Sequence, residues 1–134
     1  MTSPSLELQG LLVQTLKADA AVNALVSGAV YDRIPKDAPM PYIQIGATDE
    51  TPLDASCFVY SEHTVQLDVF SREFGQVECK RITDAIKRAL HYADLSLNDN
   101  SIGDVRVDSI RYLTDPDGVT THGIVNIKTI VEER

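Results

Sequence analysis

Three histidines, two cysteines and two short stretches rich in Asp and Asn are the groups in this chain whose types could do chemistry. A zinc site needs His, Cys or carboxylate ligands that converge at one-turn or short-loop spacing. His63, His91 and His122 each lack a second ligand at that spacing. His63 and His122 read as strand residues, and His91 as a partner for the negative end of a helix. A calcium loop of the EF-hand type demands oxygen ligands at its first, third and fifth positions. Counted from Asp115 in Asp115-Pro116-Asp117-Gly118 the fifth position is Val119, and counted from Asn98 in Asn98-Asp99-Asn100 it is Ile102. Both stretches therefore read as turns.

Phosphate-cradling and nucleophile motifs are also missing: there is no Gly-rich stretch ending in Gly-Lys-Ser/Thr, no G-x-G-x-x-G and no G-x-S-x-G. Cys79 falls on the apolar stripe of a helical pattern, where a thiol is ordinarily core. A catalytic thiol, with Cys57 or Cys79 paired to a histidine in space, is the lesser reading. The sequence predicts no catalytic residue, no cofactor-binding residue, no metal ligand and no cofactor.

What stands out is charge. Lys80, Arg81, Lys87 and Arg88 place a basic face on one helix of an acidic protein, with Asp84 at four-residue spacing from Lys80 and Arg88. Asp49, Glu50 and Asp54 gather acids in residues 49–56, and Asp115 and Asp117 in residues 115–118. Opposite patches on one molecule favour a head-to-tail contact between copies, which closes into a ring or runs on as a filament. Asp84 apart, these nine residues are the candidate interface residues.

The elements that must position them can be read from periodicity. Ser3 and Pro4 suit a helix cap and first position, and Leu8, Leu11, Leu12, Thr15 and Leu16 recur at helical spacing, predicting a helix to about Lys17. Asp19 caps a second, shorter helix carrying Val22, Leu25 and Val26, which Gly28 ends. Strand grammar begins at Val30 and resumes at 42–48 after a Pro-rich loop. Residues 49–56 read as an exposed loop. Over 58–72, His63, Val65, Leu67 and Val69 alternate with Thr64, Gln66 and Asp68. Residues 76–92 form an amphipathic helix on the stripe Cys79, Ile82, Ala85, Ile86, Ala89 and Leu90. Strands at 104–113 and 119–132 flank the 115–118 turn as an antiparallel hairpin. The expectation is a single α+β domain over 1–134, with a helical N-terminal arm (1–28). The remainder is an antiparallel or mixed sheet of about four main strands, its helices packed on one face.

Bulk composition agrees with a domain that folds without staples: 134 residues, 43% hydrophobic and 24% charged. A net charge of -8 opposes sequence-independent binding to nucleic acid, which uses Lys and Arg to displace counterions. Two cysteines without metal or disulfide spacing point to a reducing compartment, with cytosol as the default. No window approaches the roughly 18 apolar residues of a membrane span, and no membrane partner is expected.

Taken in order, Val30-Tyr-Asp-Arg-Ile-Pro, Pro41-Tyr-Ile-Gln-Ile-Gly, Leu67-Asp-Val-Phe-Ser-Arg, the helix ending Ala89-Leu-His and Thr114-Asp-Pro-Asp-Gly-Val-Thr-Thr-His-Gly-Ile-Val resemble one family. It is that of the tail-terminator and tail-completion proteins of long-tailed phages and phage-derived gene transfer particles. The likeness covers nearly the whole chain. It implies a non-enzymatic α+β subunit in the virion tail or neck, assembled in the bacterial cytoplasm. Such a subunit forms a homo-hexameric ring on the end of the tail tube, stops tube growth and offers a surface to the head-side connector. Its partners would be its own copies, the tail tube protein and the connector protein. DNA would pass through the ring, and acidic copies would repel rather than hold it.

Other readings remain beside this one. A different neck or head-tail joining protein belongs to the same class. A small-molecule-binding α+β domain would need polar residues converging on a pocket, and a nucleic-acid adaptor would need cations and aromatic residues to stack on bases.

Overall fold

In the computed structural model the described residues are 2–53 and 57–134. Helix α1 spans Pro4–Ala18 and α2 spans Ala20–Val26. They are followed by strands β1 (Val30–Tyr31), β2 (Tyr42–Leu53) and β3 (Val59–Ser71), then α3 (Val77–Leu90). Strands β4 (Ser101–Ile102), β5 (Arg106–Thr114) and β6 (Thr121–Glu133) complete the chain. The fold is α+β, with three helices and a mixed six-stranded sheet.

Local chemistry accounts for the helix ends. Ser3 Oγ accepts from the Leu6 amide and Asp19 Oδ2 accepts from the Val22 amide, each satisfying an N–H that the helix leaves open. The left-handed residue that stops α2 is Ser27, at φ 53°, with Gly28 continuing at φ 77°. The sequence had placed the stop on Gly28 alone. α1 buries Leu8, Leu12 and Leu16 almost completely, one residue per turn at intervals of four. Each such leucine contributes roughly 1.5–3 kcal/mol by leaving water.

The sheet runs β1-β2-β3-β6-β4, with β5 also paired to β6. β1 is parallel to β2; the other pairings are antiparallel. β3 and β6 form the longest ladder, from Val59↔Glu133 to Ser71↔Thr121. Four strands are long, and β1 and β4 have two residues each. The β region at Val30 is thus much shorter than its sequence grammar suggested, because 32–41 carries Pro35, Pro39 and Pro41, which cannot donate to a ladder.

His63, Val65, Leu67 and Val69 of β3 and Val125, Ile127 and Val131 of β6 are buried on the face covered by the helices. α3 adds Cys79, Ile82, Ala85, Ile86 and Leu90 to the same core. The helix sits close: a Cβ on Gly123 of β6 would lie 2.8 Å from Cys79 Sγ and 3.0 Å from Thr83 Cγ2. Glycine is required there for the approach of helix to sheet. Between Ile45 and Thr48 the β2–β3 register shifts, and the alternation that buries Ile43 and Ile45 does not continue: Ala47 is exposed.

Candidate functional surfaces

Beyond the register shift, β2 and β3 continue as a paired ribbon. Asp49 lies opposite Thr64, Glu50 opposite His63 and Leu53 opposite Tyr60. The exposed loop expected from residue 49 is therefore strand as far as Leu53; Asp54 lies outside the described residues. Acids and a proline suggested a loop, but they are also the residues that protect a sheet edge from indiscriminate pairing. The ribbon remains exposed, and apolar side chains gather toward its end: Leu53, Phe58 and Val59.

At its base His63 is only 1% exposed, with Nε2 2.8 Å from Ser61 Oγ. Burial holds the imidazole below its ordinary pKa, against the upward pull of Glu50 and Glu133.

The 115–118 turn closes the opposite end of the sheet. The Gly118 amide donates to Asp115 O at 2.9 Å, and Gly118 supplies the positive φ, 72°. The Asp117 carboxylate accepts from the Val119 and Thr120 amides and from Thr120 Oγ1, at 2.9, 2.8 and 2.7 Å. Those bonds, led by Thr120, hold its pKa down to about 2. Asp115 Oδ1 stands 4.0 Å from His122 Nδ1. The turn closes the Ser71↔Thr121 end of the β3–β6 ladder, whereas Asp49 and Glu50 stand opposite Thr64 and His63, seven and eight residues away, roughly 25 Å at about 3.3 Å per residue. Asp115 and Asp117 thus do not share a patch with Asp49 and Glu50.

On α3, Lys80, Arg81, Lys87 and Arg88 are all exposed. Arg88 Nε donates to Asp84 Oδ2 at 2.9 Å, and Lys80 Nζ lies 5.2 Å from the centre of the Tyr112 ring. Arg81 borders a depression of about 300 Å³ that it shares with Leu25, Phe74 and Val77, Phe74 being wholly exposed.

Sequence reasoning missed the outer face of the sheet. Tyr42, Phe70 and His122 form one row across β2, β3 and β6; the Tyr42 and Phe70 rings are 5.5 Å apart, and Phe70 stacks on His122 at 4.5 Å. His122 Nε2 donates to Asp68 Oδ1 at 2.7 Å, and Gln66 Nε2 donates to the same oxygen at 2.8 Å. Alternation set Gln66 and Asp68 opposite the buried face of β3, but only the register brings them together with Tyr42, Phe70 and His122.

Chemically, these arrangements are caps, turns and packing contacts. Among the described residues no three of His, Cys, Asp and Glu are grouped so as to hold a metal ion. Burial, followed by the neighbouring Glu78, pushes the Cys79 thiol up to about 11.

A family model described as "Tail completion protein gp17" matches residues 10–132. The chain belongs to that family. It is 27% identical over 121 residues to the tail completion protein gp17 of Bacillus phage SPP1, covering 90% of this chain and 89% of that one. The solved structure of bacteriophage SPP1 gp17 superposes with a TM-score of 0.63 at 26% identity, over 93% of this chain and 88% of that chain. A chain in the virion of a native gene transfer agent particle shares the fold more completely. There the TM-score is 0.90 at 24% identity, over 98% and 99% of the two chains.

Proposed function

We propose that this chain is a structural component of a phage-type tail. In this reading copies assemble as a six-membered ring on the end of the tail tube, stop its polymerisation and offer the head connector a docking surface. The observation that carries the reading is the family match over residues 10–132, which takes in α2, α3 and every strand except the last residue of β6. Geometry supports it: a rigid two-strand ladder holds an acidic, apolar-tipped ribbon at one end and a tight acidic turn at the other. One small subunit thereby presents separate surfaces to separate partners.

Contact between copies would join the Asp49 and Glu50 ribbon of one to a cationic surface of the next. Two candidates among the described residues are the α3 face with Lys80, Arg81, Lys87 and Arg88, and β5 with Arg106 and Arg111. Asp115, Asp117 and the Phe74 depression are left for tube or connector. At -8 per copy, the ring would repel DNA passing through its bore.

The test is mass in solution with and without purified tail tubes, alongside particles made without this chain. A ring on tubes, with overlong and headless tails in its absence, supports the reading. Tails of normal length joined to heads in its absence overturn it.

A further inference from the structure

Resting on the ring reading, we infer that neighbouring copies join edge to edge, residues 48–51 of one copy lying as an added strand against β5 of the next. Both edges are open. β1 pairs with β2 only at Ile43 and Gln44, so among the described residues β2 has no partner on that side from Ile45 to Leu53. Among the described residues β6 is the one strand paired with β5; on its other side the Val107 amide donates to His91 Nδ1 at 2.9 Å, and from Asp108 to Thr114 no strand pairs there. Residues 47–53 are exposed throughout, as are Arg106, Asp108, Ser109, Arg111, Leu113 and Thr114 of β5. An open edge presents N–H and C=O groups in the pattern that another strand takes up.

Charge selects which edges meet. The β2 edge carries Asp49 and Glu50 and no cation between 45 and 53. The β5 edge carries Arg106 and Arg111, with Lys128 one strand further in; its single acid, Asp108, faces Lys128 Nζ at 4.0 Å. Pairing β2 with β2 sets acid against acid, and β5 with β5 sets arginine against arginine. Only the unlike pairing joins opposite signs, and an unlike pairing is the heterologous contact that can close as a ring. Pro52, without an N–H, sets the outer limit of the paired stretch, and the shift between Ile45 and Thr48 sets the inner one.

The competing acceptor, α3, fits less well. Arg88 is engaged by Asp84 and Lys80 lies over Tyr112 within the copy. The middle of a helix also offers no open backbone groups to the ribbon.

The experiment uses the full chain on purified tail tubes and charge reversals at exposed positions. Asp49→Lys with Glu50→Lys, and separately Arg106→Glu with Arg111→Glu, should each raise the concentration needed for ring formation by about tenfold or more while melting like the parent. A mixture of the two double variants, and the quadruple variant, should recover assembly. Amide exchange should slow at 48–51 and 108–111 on assembly. Rings that survive both reversals, or that are lost instead on Lys80→Glu with Arg81→Glu, overturn the edge contact and leave the ring reading standing. An unmodified protein that stays monomeric on tubes overturns the ring reading itself.

Discussion

Glu7 and Asn100, 93 positions apart in sequence, are joined twice: the Asn100 amide and its Nδ2 donate to Glu7 Oε1 at 3.1 and 3.0 Å. The other carboxylate oxygen accepts from the Asn98 and Asp99 amides at 3.1 and 2.8 Å, so one α1 side chain holds three successive backbone N–H groups. Asn100 also donates to Thr2 O and accepts from the Arg134 amide, tying both ends of the described chain to this loop. Removing the carboxylate leaves the partly buried donors of Asn100 unmet. Glu7→Ala should destabilise the fold by about 2–3 kcal/mol and Glu7→Gln by about half that. Urea unfolding measures both, and an unchanged midpoint for Glu7→Ala would refute the role.

Gly123 tests the fit of helix to sheet. Gly123→Ala puts a methyl group 2.8 Å from Cys79 Sγ, and overpacking of this kind costs about 1–3 kcal/mol. Because the sulfur is the nearest obstacle, adding Cys79→Ala should return part of that loss. A double-mutant cycle reads the coupling directly. Strict additivity would mean that the strand shifts instead.

How far the sequence reaches is visible in these two cases. The stripe that includes Cys79 is a local pattern, written in three- and four-residue steps, and the α3 residues it marks are in the core, Ala89 partly so. Gly123 is unremarkable until β6 is laid against α3. Glu7 reads as an ordinary first-turn acid, and nothing near it announces residues 98–100. The ribbon at 49–53 was misread for a related reason. Edge-strand chemistry and loop chemistry use the same polar residues and proline, and only the pairing with β3 separates them. The candidate interface residues were legible as charge, but not as three separated surfaces, since the β3–β6 ladder sets ribbon and turn apart and the packing of α3 on the sheet sets the cations apart from both.

His63 makes stability depend on pH. Its folded pKa lies below the ordinary 6.5, so between the two values the unfolded chain binds more protons than the folded one. Stability from this group is complete above pH 6.5 and falls as the pH drops toward the folded value. Urea midpoints measured from pH 8 to pH 5 should therefore decline more steeply for the parent than for His63→Gln. Parallel profiles would place the loss elsewhere.

Asp117 acts in a lower window. With a folded pKa of about 2 against an ordinary 3.8, its contribution is present above pH 3.8 and lost as the pH falls toward 2. The carboxylate is solvent-exposed, so the effect should be confined to the hairpin rather than spread through the fold. Asp117→Ala should speed amide exchange at Val119 and Thr120, whose N–H groups it accepts, while leaving Val125 and Ile127 in the core as slow as in the parent. If exchange at Thr120 is unaltered, the turn is held by its backbone bonds, Gly118 to Asp115 and Asp115 to Thr120, without help from the side chain.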